Sequence, residues 1–312
     1  MAGGTDLFFY VQHLLGIGHL RRAQAIARRA AAEGLTVLFV SGGVTEPELD
    51  VGAAELLRLE PPIRTEDENF SRLVTGAGRP VDAAVEAERR ERLLALLAER
   101  RPRVLLTEMF PFGRRQMRFE LLPLVEAAKA APWRPAVVSS VRDILTTLKQ
   151  PGKVEWILEV VGRFYDRVLV HGDPALVPFE RTFPAVGAIA DRLRYTGYVV
   201  GDAPPAAAAA GSSGEVLVST GGGAVAEPLV RAALGARALS PLADAPWRVL
   251  VGANLPEERF RALAEAAPPG VTVERSRPDF LQLLARCRLS ISQAGYNTTL
   301  EVLAAGRPAL VV

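Results

Sequence analysis

The sequence has 312 residues, of which 49% are hydrophobic, and a formal net charge of +2. A chain of this length can bury two hydrophobic cores, and its balanced charge excludes a strong electrostatic attraction to nucleic acid. The single cysteine, Cys287, cannot form an internal disulfide, which is typical of a reducing compartment. No apolar run reaches the roughly 18 residues that span a bilayer, and no secretory leader is recognised, so we expect a cytoplasmic protein, with peripheral membrane contact left open.

The chain opens with the strand, loop, helix and strand of a Rossmann-like unit. The apolar run from Leu7 to Val11 predicts a buried parallel strand. Gly16, Gly18 and His19 follow it at the start of a predicted helix, and a second apolar strand runs from Leu35 to Val40. The dinucleotide fingerprint G-x-G-x-x-G needs a further glycine that this loop lacks, so neither NAD nor FAD is expected here.

His19 is the group of this first loop with the clearest chemistry. A histidine at a helix N terminus is favoured in its neutral form, because the helix dipole disfavours the imidazolium ion. A neutral imidazole can take a proton from an attacking hydroxyl group, so His19 is a candidate general base. The alternative from spacing alone is a histidine that caps or packs against its own loop.

The rest of the first half alternates between strands and helices. A polar stretch over residues 61–80 predicts an exposed loop. A charged helix follows from Val81 to Glu99, and we expect its charges to face solvent. Further strands are predicted at Glu55 to Leu59, Arg103 to Thr107, Val137 to Ser140 and Arg167 to Val170, with helices from Gln116 and over Val154 to Phe164. The segment from Arg192 to Val199 closes this half of the chain.

Polar side chains stand at the C-terminal ends of two of these strands. Glu108 ends one strand, and Arg142 and Asp143 follow another. Because ligands of open α/β sheets bind beyond the carboxyl ends of the strands, these residues are predicted to share one rim with His19. We expect Glu108 or Asp143 to orient His19 or a substrate, although each residue alone is more often a cap or a surface ion pair.

The second half repeats this pattern after a break. Residues 202–214 are rich in Ala, Pro, Gly and Ser without periodicity and predict a linker, so the domains are placed at 1–201 and 215–312. A strand over Glu215 to Ser219 precedes a loop containing Gly221, Gly222 and Gly223. Such a loop lets backbone amides approach a diphosphate, and the alternative is a bare strand-to-helix turn.

The last segment predicts a second anion site. Gly295 permits a turn after a short strand, Asn297 and Thr298 stand at a helix start, and Gly306 suits its C-cap. Free amides and the helix dipole attract phosphate to such a start. Glu301, in the second turn, is placed to accept hydrogen bonds from a ribose diol. The alternative is that Gly295 is only a turn residue and Glu301 only a solvated one.

Three of these segments resemble the MurG-like group of nucleotide-sugar glycosyltransferases: the G-x-G-H loop at 16–19, the glycine loop at 221–223, and the stretch 295–311 with its turn glycine and glutamate. The resemblance implies an α/β fold with two Rossmann-like domains facing a cleft, the GT-B type. It implies a glycosyltransferase that uses a nucleotide diphosphate sugar, taken to be a UDP-sugar, as substrate and needs no cofactor. The acceptor and the oligomeric state are not implied.

The resemblance also assigns roles to single residues. His19 would activate the acceptor, with Gly16, Gly18 and Arg142 beside it, and the two glycine turns would hold the diphosphate. Glu301 would hold the ribose, and Phe280 would pack against the nucleobase. Packing of Phe280 in the core is an equal alternative. No D-x-D motif occurs, which fits a transferase without a metal ion.

The family pattern continues beyond the strand at Pro308 to Val312, into a loop that touches the donor sugar. We therefore expect a second domain that is incomplete at its C terminus, or a degenerate member of the family. Two alternative functions stay open at this point. One is a nucleotide-sugar 2-epimerase, and the other is a non-catalytic nucleotide-sugar-binding protein.

Overall fold

The structure is a computed structural model that describes residues 4–14, 18–44, 49–66, 72–145, 152–201, 214–221, 227–252 and 255–312. The chain divides into two compact units. The first comprises Met1–Leu15 and His19–Val199, and the second Gly16–Gly18 and Val200–Val312. Gly16, Gly222, Gly223 and most of the predicted linker lie outside the described residues. No helix in the described ranges is long and apolar enough to cross a membrane.

The first unit is built on a parallel sheet of seven strands. The strands of this unit are β1 (Leu7–Val11), β2 (Val37–Ser41), β3 (Glu55–Arg58), β4 (Ile63–Thr65), β5 (Leu73–Thr75), β6 (Val104–Glu108), β7 (Ala136–Arg142), β8 (Arg167–His171) and β9 (Leu193–Tyr195). Its helices are α1 (Gly18–Ala32), α2 (Ala83–Arg100), α3 (Arg118–Ala130) and α4 (Lys153–Phe164). The sheet order is β3-β2-β1-β6-β7-β8-β9.

Strand β1 lies at the centre of this unit because its apolar residues can be buried on both faces of the sheet. Phe8 and Tyr10 point into a core shared with α2, α3 and α4. Phe9 points to the opposite face, where it packs edge-on against Phe39 and shares a core with α1. Full burial of a side chain of this size contributes about 1.5–3 kcal/mol, so both faces of the strand hold it in place.

The polar stretch that predicted an exposed loop contains a β-hairpin instead. Strands β4 and β5 pair antiparallel, with Ile63 opposite Thr75. Ile63 and Val74 are buried, so the hairpin is held by the few apolar residues of an otherwise polar segment. The prediction of an exposed loop was wrong here, because three-residue strands are too short to show an alternating pattern in the sequence.

Helix α2 starts where the sequence predicts a charged helix. The carboxylate of Asp82 caps it by accepting hydrogen bonds from the backbone N–H groups of Ala84 and Val85. The expectation that all its charges face solvent was wrong for one residue. Arg89 is completely buried, and its Nε donates to Oε2 of Glu120 on α3 at 2.8 Å.

Arg89 connects several elements at the carboxyl end of β1. Its Nη2 donates to the hydroxyl of Tyr10 at 3.1 Å and to Oε1 of Gln12 at 3.0 Å, and its Nη1 donates to the carbonyl of Pro61 at 2.7 Å. The hydroxyl of Tyr10 also donates to Glu120. A buried charge is tolerated only when it is paired and hydrogen-bonded in this way. The network therefore fixes the strand end from which the candidate site begins.

The second unit repeats the architecture with a five-stranded parallel sheet. Its elements are β10 (Val216–Ser219), α5 (Glu227–Arg237), β11 (Trp247–Val251), α6 (Glu257–Glu265), β12 (Val271–Arg275), α7 (Phe280–Arg286), β13 (Leu289–Ser292), α8 (Tyr296–Ala305) and β14 (Ala309–Val311). The sheet order is β12-β11-β10-β13-β14. The central strand, β10, is fully buried between two apolar cores, one on each face. Helices α6 and α7 were missed by the sequence patterns.

Candidate functional site

A cluster of polar side chains lies along the carboxyl ends of neighbouring strands in the first unit. Helix α1 begins at Gly18, directly after the β1 loop, and so places His19 in its first turn. Glu108 is the last residue of β6, the strand beside β1. Nδ1 of His19 lies 3.1 Å from Oε1 of Glu108, which is 2% exposed. The structure therefore brings together the two residues that the sequence placed on one rim.

Arg22 completes this pair from the same helix. It lies three residues after His19 and thus on the same helix face. It is buried and pairs with the same oxygen of Glu108. Burial raises the pKa of the Glu108 carboxyl group, but the charge on Arg22 and the hydrogen bond from His19 lower it more, to about 2. Sequence reasoning missed Arg22, although its spacing from His19 was a usable signal.

The cluster extends through two further strands. Ser140 lies directly opposite Glu108 in the β6–β7 register, and its hydroxyl is 2.6 Å from Oε2 of Glu108. The same hydroxyl is 2.9 Å from Nε2 of His171, the last residue of β8. Nδ1 of His171 lies 2.7 Å from the hydroxyl of Thr196. A continuous chain of hydrogen bonds thus runs from His19 to Thr196.

The chemistry of Glu108 fixes the direction of these bonds. An ionised carboxylate only accepts, so Nδ1 of His19 and the hydroxyl of Ser140 must both donate to it. Nε2 of His19 therefore carries the lone pair. The oxygen of Ser140 then accepts from the Nε2–H of His171, whose Nδ1 accepts from Thr196. Nη2 of Arg22, 3.4 Å from Nδ1 of His19, faces a second donor and so forms no hydrogen bond with it.

Burial keeps both histidines of this chain neutral. It lowers the pKa of His19 to about 4, although the hydrogen bond to Glu108 acts in the opposite direction. It lowers the pKa of His171 to about 4 as well, with the positive charge of Arg22 as the next cause. Near neutral pH the cluster therefore contains one carboxylate, one guanidinium and two uncharged imidazoles, and Nε2 of His19 is its basic atom.

Two more arginines lie at this edge of the sheet. Arg142, half-buried, ends β7 and is the register partner of His171. Arg114 belongs to the loop after β6, and its Nε donates to the carbonyl of Gln12 at 2.6 Å. Burial lowers the pKa of Arg114 to about 10; the charge on Glu108 opposes this effect, whereas those on Arg142 and Arg22 add to it. Positive charge is thus concentrated around Glu108.

Asp143 does not join this hydrogen-bond chain. Its Oδ1 accepts from the backbone N–H of Ile144 at 2.8 Å, and its Oδ2 from the hydroxyl of Tyr198 at 3.1 Å. A side chain at Gly172 would collide with it, because an added Cβ would lie 2.6 Å from the Cβ of Asp143. Of the two acids predicted to orient His19, the geometry places Glu108 beside it and gives Asp143 local partners.

The donor residues predicted in the second unit follow neighbouring strands. Gly221 comes after β10 and Gly295 after β13, and these strands pair in parallel with Ser219 opposite Ser292. The two turns therefore lie at the same edge of the sheet. Gly221 has a φ of +60°, which favours glycine. Gly295 has a φ of −76°, but an added Cβ would meet open space, so its turn leaves room for an approaching group.

Helix α8 carries the rest of the predicted donor set. Its N-cap, Gly295, offers no side chain to the first-turn amides. Asn297 and Thr298 lie in that first turn and are half-buried, as is Glu301 one turn further. Gly306 ends the helix in the left-handed conformation, as predicted for its C-cap. Phe280, at the start of α7, packs against the core beside β10, which favours the packing alternative for this residue.

The comparisons with known proteins identify the fold. No protein-family model and no curated protein matches the sequence. MurG of Acinetobacter baumannii matches the structure with a TM-score of 0.55 and 16% identity, covering 98% of this chain and 78% of that one. HepE of Anabaena, in complex with UDP-glucose, matches with a TM-score of 0.59 and 14% identity, covering 98% of this chain and 80% of that one. The calicheamicin glycosyltransferase CalG4 matches with a TM-score of 0.58 and 17% identity, covering 99% of this chain and 80% of that one.

These matches extend over both units and nearly the whole chain. The chain therefore shares the GT-B fold of these solved structures, with two Rossmann-like units. This confirms the fold class predicted from the sequence. At identities of 14% to 17% the likeness establishes the fold, while function rests on the site.

Proposed function

We propose that the protein is a glycosyltransferase that moves a sugar from a UDP-sugar to an acceptor hydroxyl group. The observation that carries the proposal is the pair of His19 and Glu108, in which a buried carboxylate leaves Nε2 of a neutral imidazole as the basic atom. Removal of a proton from an attacking hydroxyl is the chemistry that such a pair performs. The fold supports it, since solved neighbours are glycosyltransferases or bind UDP-glucose.

In the proposed reaction the acceptor hydroxyl gives its proton to Nε2 of His19 while its oxygen attacks the anomeric carbon of the sugar. The bond between that carbon and the diphosphate oxygen breaks, and UDP leaves with the electron pair. Glu108 stabilises the imidazolium ion that forms, and Arg22 and Ser140 hold Glu108 in place. Ser140 and His171 are positioning residues in this scheme, because they act through Glu108.

The second unit would bind the donor. Uncapped amides at the start of α8 and the turn at Gly221 suit a diphosphate, and the helix dipole would stabilise the charge that develops on the leaving UDP. Asn297 and Thr298 are the proposed polar contacts in that turn, and Glu301 would accept hydrogen bonds from the ribose. The sequence has no D-x-D motif, so we assign the stabilisation of the leaving group to these amides and not to a metal ion.

The test is UDP release from UDP-glucose and UDP-N-acetylglucosamine, with water as the acceptor, in wild-type protein and in His19→Ala. General-base catalysis contributes about 10²–10⁴-fold, so His19→Ala should slow UDP release by at least about 10²-fold and leave UDP affinity unchanged. Arg21→Ala, an exposed change on the same helix, should have no effect.

Three outcomes would contradict the proposal. Undiminished release in His19→Ala would remove His19 as the base. UDP-sugar binding without release by the wild-type protein would indicate a non-catalytic binding protein. An epimerised sugar formed without any acceptor would indicate the 2-epimerase alternative.

A further inference from the structure

The loop after β6 holds one arginine in a fixed place beside the candidate site. Both Met109 and Arg114, at its two ends, have left-handed φ angles, 67° and 59°. Residues other than glycine keep such a conformation only where the surroundings impose it, and they concentrate at binding and catalytic sites. The loop between them is anchored by Phe110 and Phe112, both almost completely buried.

Further contacts make the loop rigid. Phe112 packs edge-on against Phe179 and Phe183, at centroid distances of 5.6 and 5.2 Å. The backbone N–H of Met109 donates to the carbonyl of Ser140 at 2.8 Å, and the hydroxyl of Ser139 donates to the carbonyl of Phe110 at 2.8 Å. These contacts hold the backbone of the loop, and the hydrogen bond from Nε of Arg114 to the carbonyl of Gln12 holds its guanidinium group.

The charges around Arg114 do not cancel. Arg114 forms no ion pair with any carboxylate in the described part of the chain. Glu108, whose negative charge acts on Arg114, already accepts from Arg22, His19 and Ser140. Because Arg22 already pairs with Glu108, the charge of Arg114 has no carboxylate counterpart among the described residues.

We infer that the acceptor carries an oxyanion group, a carboxylate or a phosphate ester, that pairs with Arg114 and presents a neighbouring hydroxyl to His19. Arg114 is partly exposed, whereas Arg22 is buried with Glu108, so Arg114 is the guanidinium that an acceptor group can reach. A guanidinium forms two parallel hydrogen bonds to such a group. The inference rests on the proposed function for its catalytic consequence, but anion binding can be measured on its own.

The test follows the Nε–Hε resonances of the arginine side chains by NMR in protein saturated with UDP, which keeps the added anion out of the donor site. Inorganic phosphate is titrated in one arm and acetate in the other, to distinguish the two sources. Arg114→Lys identifies the Arg114 resonance by its loss. We expect a saturable shift of that resonance, with an affinity about tenfold or more above that at the exposed Arg118.

Two variants separate this site from general surface charge. Arg142→Met should weaken phosphate binding at Arg114, whereas Arg118→Met, which removes the same charge from a neighbouring exposed position, should not. No saturable shift at Arg114, or equal shifts at Arg114 and Arg118, would overturn the inference. Arg114→Lys serves only to assign the resonance, and the binding comparison itself is made in proteins that keep Arg114.

A second measurement joins the site to catalysis. UDP release from a UDP-sugar is compared in the presence of glucose, glucuronate and glucose 6-phosphate, which differ in charge while sharing hydroxyl groups. We expect faster release with an anionic member than with glucose, and loss of this preference in Arg142→Met. An equal or greater rate with glucose would contradict the inference. Anion binding at Arg114 without UDP release from any mixture would leave the site standing and reject the proposed function.

Discussion

One carboxylate sets the chemistry of the candidate site at the scale of single residues. Glu108 is ionised in the interior because Arg22, His19 and Ser140 all contact it. Its acceptor-only oxygens then determine which nitrogen of His19 is protonated. The base of the proposed reaction is thus defined by a residue that does not itself touch the acceptor.

The first prediction concerns the tautomer and pKa of His19. NMR of the imidazole nitrogens should show the proton on Nδ1 at neutral pH, and the ring should stay neutral until the pH approaches its pKa of about 4. The reason is burial, which penalises the imidazolium ion. A ring that gains its second proton near pH 6.5, or one that is protonated on Nε2 alone, would contradict the assignment of Nε2 as the base.

The second prediction concerns Glu108→Gln, which preserves the shape of the side chain and removes its charge. UDP release should fall by about 10²–10⁴-fold, because an amide neither stabilises the imidazolium ion nor holds His19 in the required tautomer. UDP affinity should not change. Glu126→Gln, on the exposed side of α3, is the matched control, and an equal loss in both variants would point to a general effect of the substitution.

At the scale of elements, the site depends on how β1 and the helices beside it are tied together. Arg89 joins α2 to Glu120 of α3 and to Tyr10 and Gln12 at the end of β1. The backbone of Gly42 also lies here, where a Cβ would come 2.4 Å from Oε1 of Gln12. The close approach of this turn to the network is the reason for a glycine at position 42.

The third prediction is that Arg89→Met destabilises the first unit by about 3–5 kcal/mol, because it leaves the carboxylate of Glu120 buried without its cation. Urea unfolding measures the change. The exposed Arg92→Met on the same helix should stay within about 0.5 kcal/mol of wild type. The double variant Arg89→Met/Glu120→Leu should recover most of the loss, since it removes both charges. Equal effects of Arg89→Met and Arg92→Met would contradict the role of this ion pair.

The predictable elements are those with strong local signals. The predicted strand Leu7 to Val11 coincides with β1. A continuous apolar run of this length in an α/β chain is typical of a parallel strand buried on both faces. Gly306 was predicted as a helix C-cap for the same kind of local reason. Arg89 was missed because its partner lies on another helix, yet its spacing of four residues from both Val85 and Leu93 places it on the buried face of α2.

The candidate site divides in the same way. His19 and Glu108 could be predicted, because a helix start and a strand end are local features that the topology brings to one edge. Ser140 and His171 could not be assigned, because their role follows from strand register, which the sequence does not show. The roles of Asp143, Glu301 and the glycine turns stay predictions.

At the scale of the whole molecule, the histidines are distributed unevenly. All three, His13, His19 and His171, belong to the first unit, and burial lowers the pKa of each. In the unfolded chain the histidines bind protons below their usual pKa of 6.5. In the folded first unit, His19 and His171 do not bind these protons until the pH approaches about 4. The stability of this unit is complete above pH 6.5 and falls as the pH decreases.

The fourth prediction follows from this difference between the units. Between pH 6.5 and about 4, the free energy of unfolding of the first unit should fall by up to about 1.4 kcal/mol per pH unit for each histidine. Tryptophan fluorescence during urea unfolding separates the units, since Trp247→Phe leaves Trp133 and Trp156 in the first one. The second unit, with no histidine, is the internal control, and the same pH dependence in both units would contradict the account.

The central claim, a nucleotide-sugar transferase with its donor site on α8, is tested most directly by calorimetric titration with UDP, followed by GDP, dTDP and ADP. We predict selective binding of UDP, weakened in Glu301→Ala by roughly 1.5–3 kcal/mol through loss of a charge-assisted hydrogen bond. The exposed Glu258→Ala in the same unit should bind UDP like the wild type. A folded protein that binds none of the four diphosphates would contradict the claim.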